Sequence, residues 1–225
     1  MSAVSRVNGA SGTGTGRAVV FDFGGVVFRW RPLELLQEVL PQRVPDEEAA
    51  RELAASIFQS FDVGSDWAAF DRGTIAEDDL VARISARTRL PAQEVHRVVD
   101  AIPTHLEAQA PTVELMRRLK AAGYRLFYLS NMPLPYAEHL ERSHAFFAWF
   151  EGGIFSSRVQ LIKPEPAIFA EAARRFGIVP ADSVFIDDHP GNVEIARAEG
   201  WQSVQFTDVV QCEADLRSAG WVPAD

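Results

Sequence analysis

The chain has 225 residues, 47% hydrophobic and 24% charged, the balance of a soluble globular protein able to bury a sizeable core. Lys and Arg number 22 against 31 Asp and Glu, a net charge of −9, which argues against a nucleic-acid or anionic-membrane face but leaves room for a small anion held by local cations or a metal. The single cysteine, Cys212, excludes an intrachain disulfide and a thiolate metal cluster and fits a reducing, cytoplasmic setting.

Residues 1–16, "MSAVSRVNGASGTGTG", lack the apolar stretch of a secretion signal and read as a disordered leader rich in Gly, Ser and Thr. "RAVVFDF" (17–23) is a continuous apolar run, as expected of a strand buried on both faces, and it carries one acid, Asp22, followed closely by Gly24 and Gly25. From about residue 31 to 110 the chain reads as charge-laced helices without a convincing strand, such as "PDEEAARELAASIFQSF", with hinges expected at Pro32 and at "PTHLEAQAP" (103–111). Within this insert, "WAAFDRGTIAEDDL" (67–80) predicts a turn at Gly73–Thr74 leading into a helix, with its acids in solvent. Trp30, Trp67 and Phe70 fall where the insert would close over a site.

The remainder alternates. Strands are predicted at 124–131, 151–157, 182–188 and 201–206, and helices at 111–123, 164–177 and 191–200, each helix ending in glycine. That alternation implies an α/β fold: a Rossmann-like parallel sheet with helices on both faces, formed by residues 17–30 and 111–225, and an all-helical cap at 31–110.

Ligands bind an open parallel sheet beyond the carboxyl ends of its strands. Asp22, Ser130 with Asn131, and Asp187 with Asp188 all fall at such ends, and Lys163 precedes Pro164 at the mouth of a helix. Converging carboxylates repel one another and call for a cation, and oxygen ligands without His or Cys suit Mg²⁺. His96, His105, His139 and His144 have no metal-ligand spacing.

"DFGGV", "LSN", "KP" and "FIDDHPGN", in that order, resemble the four motifs of the haloacid-dehalogenase-like (HAD) superfamily. The resemblance implies Asp22 as nucleophile and metal ligand, Gly24 as a main-chain carbonyl ligand, Ser130 and Asn131 beside the phosphate, and Lys163 bridging nucleophile and phosphate. It implies Asp188 as the direct acidic metal ligand, Asp187 as the second, and Asn192 as support for that loop. Phosphatases of this superfamily mostly carry an aspartate where this chain has Gly24, as the acid for the leaving oxygen; a subset resembling sugar-1-phosphate phosphatases has glycine. His189, beside Asp188, is the candidate replacement acid. The implied activity is Mg²⁺-dependent hydrolysis of a small phosphorylated metabolite, such as a sugar 1-phosphate, through an aspartyl phosphate. Two alternatives are a metal-independent 2-haloacid dehalogenase, in which Asp187–Asp188 would be out of place, and a silent relative that binds a phosphorylated ligand or a partner. Oligomeric state is left open.

Overall fold

The computed structural model describes residues 16–59 and 62–221; apart from Gly16, the expected leader lies outside these residues. β1 (Ala18–Phe21) is wholly buried, as its unbroken apolar run requires. Val19 and Phe21 pack into one core cluster, Ala18 and Val20 into another on the opposite face. The other strands are β2 (Arg125–Ser130), β3 (Gly152–Phe155), β4 (Ser183–Asp187) and β5 (Gln202–Gln205), all parallel in the order β3-β2-β1-β4-β5. Each strand is shorter than its sequence run by one residue at its start and by one or two at its end. After β3, Ser156–Arg158 forms a 3₁₀ turn instead of continuing the strand.

The connection from β1 to β2 carries α1 (Pro32–Val39), α2 (Glu47–Phe58), α3 (Asp66–Asp71), α4 (Glu77–Thr88), α5 (Ala92–His105) and α6 (Ala110–Ala121). α1 packs on α2 and α5, and α4 on α3 and α5. The outgoing and returning chains run side by side: Arg29 N–H donates to Glu107 O at 2.9 Å and Gln109 N–H to Val27 O at 2.8 Å.

α7 (Leu134–Ser143) follows β2, α8 (Pro166–Phe176) follows β3, α9 (Pro190–Ala198) lies between β4 and β5, and α10 (Val209–Ser218) follows β5. α7 and α10 are additions to the sequence-based expectation. α7 buries Tyr136, Ala137 and Leu140, and α10 is capped by Asp208, whose carboxylate accepts from the N–H groups of Val210 and Gln211.

The stretch expected to begin a hinge at residue 103 is helical at its start. Pro103 lies inside α5. It has no N–H to offer the Val99 carbonyl one turn back, and the Tyr136 hydroxyl from α7 donates to that carbonyl at 2.9 Å. A side chain from outside the insert thus lets the helix run through its proline.

Candidate active site

In this strand order the chain progresses outward from β1 in both directions, so β1 and β4 flank a topological switch point, where ligands collect. Asp22 emerges there just beyond β1, its N–H still donating to Ile186 O of β4 at 2.9 Å. Asp187 ends β4 and Asp188 follows. Lys163, from the segment between β3 and α8, inserts between the acids: its Nζ lies 2.8 Å from Asp22 Oδ1 and 2.6 Å from Asp187 Oδ2. All three members of this array are nearly sealed from solvent. Burial pushes the Asp22 carboxyl up; Lys163 opposes that rise, while Asp187 and Asp188 add to it. Burial works against the Lys163 ammonium, but Asp187 and Asp22 outweigh it and hold its pKa above the ordinary value.

Asp187 is saturated with donors. Besides Lys163 it accepts from Asn192 Nδ2 at 2.9 and 3.1 Å and from His189 N–H at 2.8 Å. Asp188 has its carboxylate directed elsewhere, against Gly25, where a Cβ would overlap the Asp188 carboxyl group. Gly25 also has φ +74°, so both its backbone and its lack of a side chain are needed here. Oxygens of Asp22, Asp187 and Asp188 lie within 4.8 Å of one another. This all-oxygen set suits a hard divalent cation, which would relieve the mutual repulsion that adds to the effect of burial on Asp22.

Ser130 closes β2, and its buried Oγ has no hydrogen-bond partner among the described residues. A buried hydroxyl of that kind carries a cost unless something else engages it. Asn131 has both ends of its amide engaged by the Lys163 backbone, donating to its O at 2.9 Å and accepting from its N at 2.8 Å. Gly24 lines the same cavity, and no atom lies within 4 Å of where its Cβ would stand.

A family model for haloacid dehalogenase-like hydrolases matches residues 17–200. The chain belongs to that family. Among its relatives, the sesquiterpene phosphatase astK of Aspergillus oryzae is 27% identical over 204 residues, covering 90% of this chain and 96% of the relative. A HAD family enzyme of Bacteroides thetaiotaomicron, solved with magnesium and inorganic phosphate, superposes with a TM-score of 0.61 at 19% identity, covering 84% of this chain and 92% of that one. An L-2-haloacid dehalogenase superposes with a TM-score of 0.63 at 24% identity over 83% and 84% of the two chains. At such identities the structural likenesses speak to the HAD fold and not to the reaction.

The HAD motifs open onto a cavity of about 220 Å³ lined as well by Trp30, just before the helical insert, and by Trp67, Ile102 and Leu106 within it. Trp30 and Trp67 therefore stand where the sequence suggested, whereas Phe70 is buried behind them, edge-on to Trp67 and to Tyr136. The expectation that the acids of residues 67–80 are solvated holds for Asp78 and Asp79 and fails for the half-buried Glu77 and Asp71. Asp71, the last residue of α3, lines the cavity together with Asp22 and Lys163. Burial pushes its carboxyl up to about 7, against the pull of Lys163 and with the help of Asp22. The available signal was helical spacing: Trp67 and Asp71, four residues apart, share a face of α3. His189 sits exposed on the rim, where its Nδ1 accepts from Gly191 N–H at 3.2 Å and caps α9.

Proposed function

We propose that this HAD hydrolase is a Mg²⁺-dependent phosphomonoester phosphatase in which Asp22 attacks phosphorus. The observation that carries the reading is the buried array of Asp22, Lys163 and Asp187 facing an unpartnered Ser130 hydroxyl. A divalent cation held by Asp22, Asp188 and the Gly24 carbonyl, with Asp187 in support, would offset the charge shared by carboxylate and phosphate. Lys163 counters the rise that burial imposes on Asp22 and keeps it aimed, and with Ser130 it offers donors to the phosphoryl oxygens. Asn131 and Asn192 set the positions of Lys163 and Asp187, respectively. Residues 31–110 act as the cap that excludes water.

Between a sugar 1-phosphate and the phosphate of an apolar alcohol, the cavity favours the second, because Trp30, Trp67, Ile102 and Leu106 offer a sugar few polar partners. The relative named as a sesquiterpene phosphatase points the same way. A small-molecule partner in the cytoplasm, rather than nucleic acid or membrane, fits the net charge of −9 and the lone cysteine; no helix among the described residues is long and apolar enough to cross a membrane.

The test is release of phosphate from p-nitrophenyl phosphate with Mg²⁺, with EDTA, and with Asp22→Asn, set beside chloride release from 2-chloropropionate. Phosphate release abolished by EDTA and by Asp22→Asn is expected. Chloride release that persists in EDTA would make the protein a dehalogenase, and ligand-induced thermal stabilisation without turnover would make it a binding protein.

A further inference from the structure

The geometry points to Asp71 as the proton donor and acceptor of the reaction, a catalytic residue supplied by the helical insert in place of the acid missing at Gly24. This assignment rests on the phosphatase reading above.

Three contacts fix Asp71 in the cavity. The fully buried Ser156 hydroxyl donates to the Asp71 carbonyl and accepts from Met132 N–H at 2.9 Å, tying the end of α3 to the segment just past Ser130. Arg72 forms a two-pronged pair with Glu165 at 2.8 and 2.5 Å and donates to Gln160 O at 3.2 Å, joining the same turn to the loop that bears Lys163. Gly73, at φ +74°, packs so closely on the 3₁₀ turn that a Cβ would stand 2.7 Å from Ser157 O. The backbone at 71–73 is thus clamped to the sheet side on three counts, while the Asp71 carboxylate accepts no hydrogen bond from a described residue. A rigid backbone beneath an unengaged acid is what proton transfer to a bound substrate requires.

The competing donor is weaker. His189 is exposed on the rim, and its Nδ1 is engaged as the cap of α9, accepting from Gly191 N–H. A carboxyl raised by burial to about 7 carries a transferable proton near neutral pH.

The steps balance. As Asp22 Oδ bonds to phosphorus and the ester P–O bond breaks, the Asp71 carboxyl gives its proton to the leaving oxygen, releasing an alcohol. Asp71, now a carboxylate, then takes a proton from water as that oxygen bonds to phosphorus and the Asp22–phosphorus bond breaks, releasing inorganic phosphate.

An alkoxide leaves with difficulty and p-nitrophenolate with ease, so the Mg²⁺-loaded full chain is assayed on n-hexyl phosphate and p-nitrophenyl phosphate, with thermal melting to verify folding. Asp71→Asn is expected to slow hexyl phosphate cleavage about 10²- to 10⁴-fold. It should leave the first turnover of p-nitrophenyl phosphate within about tenfold and produce a burst of p-nitrophenol, because water attack then lags. Gly24 has open space for a side chain, so Asp71→Asn with Gly24→Asp is expected to recover at least about tenfold on the hexyl ester. Equal loss on both esters without recovery in the double variant would overturn the role of Asp71. So would hexyl ester turnover within about threefold of the parent. Failure of the parent chain to release phosphate from either ester would instead sink the phosphatase reading, and the role of Asp71 with it.

Discussion

Asn131 and Lys163 are joined by a reciprocal pair of hydrogen bonds: the Asn131 amide donates to the Lys163 carbonyl at 2.9 Å and accepts from the Lys163 N–H at 2.8 Å. The pair fixes the main chain from which the Lys163 ammonium reaches both Asp22 and Asp187. Asn131→Ala strands two partly buried backbone groups and should cost about 1–3 kcal/mol in urea denaturation. Loss of aim at Lys163 should lower phosphatase kcat by about 10- to 100-fold. Parental stability and turnover in this variant would show that Lys163 is held by other means.

Adjacent glycines should behave differently. Gly25→Ala forces a side chain onto a positive φ at a cost of about 1–2 kcal/mol and drives it into the Asp188 carboxyl group. The rise in melting temperature on adding millimolar Mg²⁺, expected of the parent, should largely vanish. Gly24→Ala meets no atom within 4 Å and should retain more of that rise. Identical Mg²⁺ shifts in the parent and in Gly25→Ala would separate Asp188 from cation binding.

Much of the sheet could be read from the chain because β1, β2 and β4 are largely apolar runs closed by polar residues, and the same pattern delivers Asp22, Ser130 and Asp187 to one edge. α7 escaped notice because its buried face is short, three residues ending at Leu140. Pro103 was misleading for a tertiary reason: the hydroxyl that satisfies Val99 lies 37 positions away in sequence. Asp71 was hidden in the same way. Its own stretch gives it a helical face, but only the docking of Gly73 on Ser157 and of Arg72 on Glu165 turns that face toward Asp22.

The Tyr136 hydroxyl supplies the bond that Pro103 denies to Val99. Both the hydroxyl and the carbonyl are buried, so Tyr136→Phe leaves an acceptor unmet and should cost about 1–3 kcal/mol, measured by chemical denaturation. Pro103→Ala restores the intrahelical donor and should recover part of that loss in the double variant, a coupling that a thermodynamic cycle reads directly. Strict additivity of the two substitutions would mean that the Val99 carbonyl is satisfied without Tyr136.

Cys212 is fully buried on α10, and burial, reinforced by Asp215, Glu213 and Asp208, pushes its thiol up to about 12. The raised value favours the protonated thiol in the folded chain. Its stabilising contribution is therefore complete below the ordinary cysteine pKa and is lost as pH climbs from there toward 12. At pH 8 the thiolate is far scarcer in the folded protein than in the unfolded chain, where roughly a quarter of the molecules carry it. A disulfide reagent at pH 8 should leave the native protein unmodified for as long as it stays folded and should titrate one thiol in guanidinium chloride. Labelling at intermediate denaturant should track the unfolded fraction. Fast labelling that is independent of denaturant would mean that α10 opens locally and exposes Cys212 without global unfolding.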